Sequence, residues 1–253
     1  MRLEHEPGQP VATVVLDRPA TRNAQTPVTW RALEAVGDRL LGDPAVRVVV
    51  LRAEGPSFSA GLDRAMFGSG TQTEPGLARI AALDDRALDA AIDGFQQAFR
   101  WWRDERLVSV AAVQGHAVGA GFQLALACDL RVVADDVAFS MKETSLGLVP
   151  DLGGTGPLVA LVGYARALEV CATGRWVGAQ EAVAWGLASI AVPLDELADA
   201  TDDLVAAVLA APAAAVRATK SVLRQAVGRS YDEQRAVERA AQAPLLRALA
   251  KER

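Results

Sequence analysis

A buried strand feeding an apolar helix through closely spaced glycines leaves a chain few options. Residues 108–127, "VSVAAVQGHAVGAGFQLALA", are such a stretch, with Gly115, Gly119 and Gly121 just ahead of the apolar run. Glycine inside a helix costs about 1 kcal/mol relative to alanine, so three of them at its start need a reason. The first N–H groups of a helix have no intrahelical partner, and glycine lets a ligand approach the backbone closely. The stretch therefore predicts a site for an anion, or for an oxyanion that develops during a reaction. Leu124 stands where a dinucleotide fingerprint would need its third glycine, and no Gly-Lys-Ser/Thr completes a phosphate loop. On this stretch alone, a packing device explains the glycines equally well. The lone polar side chain one turn into the run, Gln123, is unexplained by either.

The surrounding pattern predicts an α/β fold. Short β-branched runs at 11–17, 46–53, 107–113 and 130–135, with a weaker one at 188–193, alternate with helical stretches. Between the first two lies a helix over about 27–41, with Pro27 in its first turn. Ile92, Phe95, Phe99 and Trp102 recur in steps of three and four, an apolar helix face better read as core than as a cofactor box. Residues 66–76, "MFGSGTQTEPG", show no periodicity and read as a mobile loop. After about residue 194 the strands stop and three Ala-rich helical segments follow, suited to packing or subunit contact. We divide the chain into a core at 1–194 and a helical region at 195–253.

Composition narrows the function classes. At 253 residues and 51% hydrophobic, the chain can bury a core without staples. A net charge of -5 with no block of Lys and Arg argues against nucleic acid. The apolar runs are too short or too charged to span a bilayer, and "MRLEHEPGQP" has no signal-like segment, so a soluble cytoplasmic protein is expected. Cys128 and Cys171 lack ligand spacing and read as small buried hydrophobes; no metal or redox cofactor is indicated.

A second loop sharpens the oxyanion reading. "GPSFSAGLD", residues 55–63, follows the strand at 46–53 and again places small residues where backbone can be exposed. Two strand-ending loops can supply two converging N–H donors. Together, "RPATRNA", "FSAGLD", "GHAVGAGFQLALACDLR" and "FSMKETSLGLVPDLGGT" resemble, in order and spacing, the crotonase superfamily, also called enoyl-CoA hydratase/isomerase. The resemblance covers about the first three quarters of the chain.

The resemblance implies a crotonase-like ββα spiral core, a C-terminal helical trimerisation region and an acyl-CoA thioester substrate whose coenzyme A is no separate cofactor. It implies an oxyanion hole from the backbone N–H groups of Leu62 and Ala120. Arg22 resembles the basic position that meets coenzyme A phosphates, and Ser59 and Ala60 the small positions where backbone meets adenine. Hydratases of the family use two glutamates; here the first position is Gln123, which cannot take a proton at neutral pH, and the second is kept as Glu143. Asp151 stands where many members carry glycine; an acid there resembles the dienoyl-CoA isomerase branch, while a helix N-cap explains it equally well.

A single carboxylate suffices to move a double bond, so enoyl- or dienoyl-CoA isomerisation by Glu143 is expected over hydration, with Asp151 and Gln123 as further catalytic candidates. A binding protein that has lost turnover, and a serine hydrolase using His5 or His116, are the competing classes. The last segment lacks the acidic-Gly-aromatic stretch common near the family's C-termini, which weakens an adenine contact from a neighbouring subunit. A homotrimer or a dimer of trimers is still expected.

Overall fold

The computed structural model describes residues 1–68, 70 and 74–251. Positions 69 and 71–73 of the predicted mobile loop and the last two residues of the C-terminal segment lie outside the described residues. The main sheet has six strands in the order β1-β2-β3-β4-β6-β9. These are β1 (Arg2–Glu4), β2 (Val11–Leu16), β3 (Val48–Ala53), β4 (Val108–Val113), β6 (Leu130–Ala134) and β9 (Ile190–Val192). Only the β1–β2 pairing is antiparallel. A second sheet joins β5 (His116–Val118), β7 (Ala138–Ser140) and β8 (Val177–Gly178).

Ten helices connect the described strands: α1 (Pro27–Leu41), α2 (Leu77–Ala81), α3 (Asp85–Arg100), α4 (Ala120–Ala127), α5 (Thr155–Val162), α6 (Tyr164–Thr173), α7 (Ala179–Ala184), α8 (Leu197–Ala210), α9 (Ala213–Gln225) and α10 (Tyr231–Lys251). β4–β5–α4 is one ββα turn, and β6–β7–α5 the next. β3 starts a third, its second strand reduced to a bridge between Ser59 and Ala117. These stacked turns form the ββα spiral expected from the sequence.

Both faces of the main sheet are covered, which explains why its strands read as unbroken apolar runs. Val49, Leu51, Val113 and Val133 face Trp30 and Leu33 of α1, Phe99 of α3 and Phe122 of α4. Val48, Val50, Val110, Ala112 and Val132 point the other way, against Leu197 and Val205 of α8. α8 is thus a layer of the core, and the boundary drawn at 194 falls inside a packed unit. Only α9 and α10 lack buried residues of their own.

Local chemistry sets the helix bounds. Thr26 closes a capping box with Thr29 and Pro27 occupies the first turn, so α1 begins where the sequence placed it. Gly37 costs α1 some stability, but a Cβ there would lie 2.5 Å from the Trp101 ring, which stacks on Trp102. Burial of a side chain such as Trp102 or Phe99 contributes about 1.5–3 kcal/mol, which outweighs that cost. The Phe95–Phe99–Trp102 face packs on Trp30 and the core, as read from its spacing.

Candidate active site

Two loops leave the ends of neighbouring parallel strands and zip together. Phe58 N donates to Gln114 O (2.9 Å), Ser59 N to His116 O (2.9 Å) and Val118 N to Ser59 O (3.0 Å). The contact is close because Gly121 meets Ser59 directly: a Cβ on it would lie 2.6 Å from the Ser59 Cβ. Gly61, at φ +83, turns the first loop beneath Val118 O, which a Cβ would approach to 2.4 Å. That same Cβ position is 3.6 Å from Ala120 N, so Leu62 and Ala120 end side by side. Neither of their N–H groups donates to a backbone carbonyl of a described residue. Ala120 is the first residue of α4, whose eight residues are all buried and whose dipole favours negative charge at this end.

Glu143 stands over this pair, in a 3-10 turn (Glu143–Leu146) after β7. Its Oε1 lies 3.2 Å and its Oε2 3.6 Å from where a Cβ on Gly119 would be. Gly119, at φ +51 and ψ −118, takes a backbone conformation open to glycine. Gln123 Nε2 donates to Glu143 Oε1 (2.7 Å), while the buried Oε2 has no hydrogen-bond partner. Burial pushes the Glu143 carboxyl above its ordinary range; its own backbone and Gln123 oppose the shift, and the Asp151 charge adds to it. Asp151 is also raised by burial.

The structure separates the readings of the remaining candidates. Gln123 is 1% exposed. Its Oε1 accepts Leu152 N (2.9 Å) and Gly154 N (3.3 Å), so the amide spans Glu143 and the 152–154 turn. Asp151 does not cap α5: the N-cap is Gly154, with no side-chain cap bond. The Asp151 carboxylate makes no hydrogen bond or ion pair to another described residue, whereas its carbonyl accepts Gln96 Nε2 from α3 (2.6 Å). Arg22 is exposed at φ 50 with no side-chain partner among the described residues. Its carbonyl accepts Ala60 N (2.8 Å), which leaves Ala60 O open.

Ser59 is tied into both loops. Its N and O are both spent on the neighbouring loop, and its Oγ donates to Asn23 O (2.8 Å) and accepts from Gln25 and Gly61. These bonds make it a pillar of the loop pair. Cys171 is half-buried, in contrast to the fully buried Cys128, whose thiol burial pushes up to about 12.

The histidines do not assemble a hydrolase. His5, taken as tail, is packed between Val11 O and Asp43. His116 is exposed on β5; its Nδ1 is 3.5 Å from Ser57 Oγ, and no described carboxylate holds its other nitrogen. Two site residues were missed from sequence. Asn23, at φ 54, bonds Glu54 O and Ser57 O (both 2.9 Å) and shapes the first loop; an asparagine following Arg22 was a usable signal for a left-handed turn. Gln96 gave none, because its partner lies 55 residues away.

The enoyl-CoA hydratase/isomerase family model matches residues 6–248. The chain belongs to that family. A Thermobifida fusca protein described as an enoyl-CoA hydratase, solved with acetoacetyl-CoA, is 48% identical with a TM-score of 0.91, over 98% of this chain and 94% of that one. The same protein has been solved with CoA, at 47% identity and TM-score 0.91, over 99% and 94% of the two chains. Carnitinyl-CoA dehydratase of Proteus mirabilis is 32% identical over 228 residues, 88% of this chain and 80% of its own length. This family membership, with the paired loops and Glu143, accounts for the glycines that begin α4.

Proposed function

We propose that this enzyme binds an enoyl- or dienoyl-CoA, holds the thioester oxygen between Leu62 N–H and Ala120 N–H, and moves a double bond with Glu143. The Glu143 carboxylate takes a proton from one carbon, the enolate's negative charge rests on the thioester oxygen, and the same proton returns at a second carbon. One observation carries this reading: a buried Glu143 carboxylate with an unpartnered Oε2 lies against Gly119, next to Ala120, whose N–H, like that of Leu62, meets no described carbonyl. Its raised pKa suits a group that must both take and give a proton.

The state of Gln123 favours isomerisation over hydration. Its oxygen already accepts two backbone N–H groups and its nitrogen holds Glu143, so little of the amide is left to orient a water. Hydration, or its reverse, is the second reading. It is favoured by the hydratase and dehydratase names of the relatives, and it would use Asp151, whose carboxylate is uncommitted, as the second acid. Arg22, exposed and with no side-chain partner among the described residues, is the residue we propose for the coenzyme A phosphates.

The test is a paired assay following absorbance of the conjugated thioester. Isomerisation gives a rise with 3-enoyl-CoA, and Glu143→Gln lowers it by about 10²–10⁴. A fall with 2-enoyl-CoA would instead establish hydration. Acyl-CoA binding without turnover on either, or on dienoyl substrates, would leave a binding protein. We also propose self-association through α9, α10 and the turn between them, which expose Leu223, Val227, Tyr231, Leu246 and Leu249; light scattering giving a monomer would refute it.

A further inference from the structure

Residues 148–154 bring Asp151 to within electrostatic reach of Glu143, yet the segment has few bonds of its own. Leu148 N donates to Glu143 O (3.0 Å). Past that point, Gly154 O accepts Leu158 N as α5 begins (3.1 Å), and two amide side chains supply its other hydrogen bonds to the described protein. Gln123, from α4, accepts Leu152 N and Gly154 N. Gln96, from α3, donates to Asp151 O at 2.6 Å. Leu152, buried at 4% exposure, is its apolar anchor. Both helices are firm supports: α4 is buried throughout, and α3 buries Ala98 and Phe99 one turn or less from Gln96.

We propose that Gln96 is a positioning residue: by tying the Asp151 carbonyl to α3 it holds the Asp151 carboxylate beside Glu143, opposite the strut that Gln123 provides from α4. The proposal rests on the acyl-CoA reading of the site, in the form that has Asp151 act with Glu143 as the second acid. The Asp151 side chain, having no bond to another described residue, depends on its main chain for its place. Without the Gln96 bond, the turn at Pro150 and Asp151 is free to swing outward and the carboxylate to meet water. Positional shifts of this size cost about ten- to a hundredfold in rate.

Gln96→Met keeps the length of the side chain and removes the donor. The expected result is a ten- to hundredfold lower kcat with KM changed less than about twofold, and no further loss when Asp151→Asn is already present. An equal loss in both backgrounds, or a raised KM with kcat unchanged, would overturn the proposal and make Gln96 a wall of the acyl pocket. A second measurement needs no turnover: the carbon-13 titration of the Asp151 carboxyl, which should move down toward the ordinary aspartate range in Gln96→Met. An unchanged midpoint would overturn the proposal even in an active enzyme. A shifted midpoint in a protein inactive on every enoyl thioester would uphold it while refuting the proposed reaction.

Discussion

At the scale of single residues, the site stores an unfavourable charge. Burial raises both Glu143 and Asp151, and only Glu143 has an amide to offset it. Proton abstraction needs the ionised Glu143, so turnover should rise with pH through a midpoint above the ordinary glutamate value of about 4.3, and a pH–rate profile checks it. Stability runs the other way. A carboxyl whose folded pKa is raised binds its proton more tightly in the folded state, so stability falls as pH climbs from the unfolded pKa through the folded one. Asp151→Asn should therefore raise the melting temperature near neutral pH, with the gain vanishing in acid below the ordinary aspartate pKa. An unchanged or lowered melting temperature at neutral pH would contradict it. Both acids were legible in "MKETSLGLVPDLGG"; the task of Gln123 was not, because the backbone groups it holds lie some thirty residues away.

At the scale of elements, the hole we propose depends on a glycine at the junction of β5 and α4. Gly119→Ala would force an unfavourable left-handed backbone and bring a Cβ to 3.2 Å from Glu143 Oε1. Displacing Ala120 N–H and Glu143 together should lower kcat by about 10²–10³. Affinity for free CoA, measured by calorimetry, should hold, since its polar head lies away from the hole in our reading; a parallel loss of CoA binding would show a wider collapse. The long elements were readable because α1 and β2, β3, β4 and β6 have apolar periodicity or β-branched runs. The small sheet was not. β5, β7 and β8 have two or three residues each, too few to show a period, and their pairing partners are distant in sequence.

At the scale of the whole molecule, α9 is fastened by cations whose partners are main-chain carbonyls of the core. Lys220 Nζ reaches Asp104 O (2.7 Å), Leu107 O (2.7 Å) and Asp129 Oδ2 (2.6 Å), and Arg217 Nε reaches Arg106 O (2.9 Å). The Lys220 side chain is 9% exposed, and burial lowers its pKa against the pull of Asp129. Lys220→Met removes the cation paired with Asp129 Oδ2, which keeps only its bonds from Ser109, and takes a donor from two carbonyls, which should cost about 3 kcal/mol. The loss should appear as faster amide exchange in α9 and α10, with β3, β4 and β6 protected. Uniform exchange across the chain would mean that the helices are not a separable unit. The apolar residues exposed along these two helices are where we place the subunit contact.

The sequence by itself determined the fold class, the two glycine-bearing loops and the carboxyl groups at 143 and 151 that we propose as acids. Each depends on local order: β-branched runs that must be buried, glycines that permit one backbone turn, motifs short enough to be read in line. Only the tertiary structure decided that α8 belongs to the core, that Ser59 is spent on the neighbouring loop, and that Gln96 and Gln123 grip the Asp151 segment from two sides. Those facts are hydrogen bonds and contacts between residues tens of positions apart, and no local pattern carries information about which distant group will satisfy a buried donor.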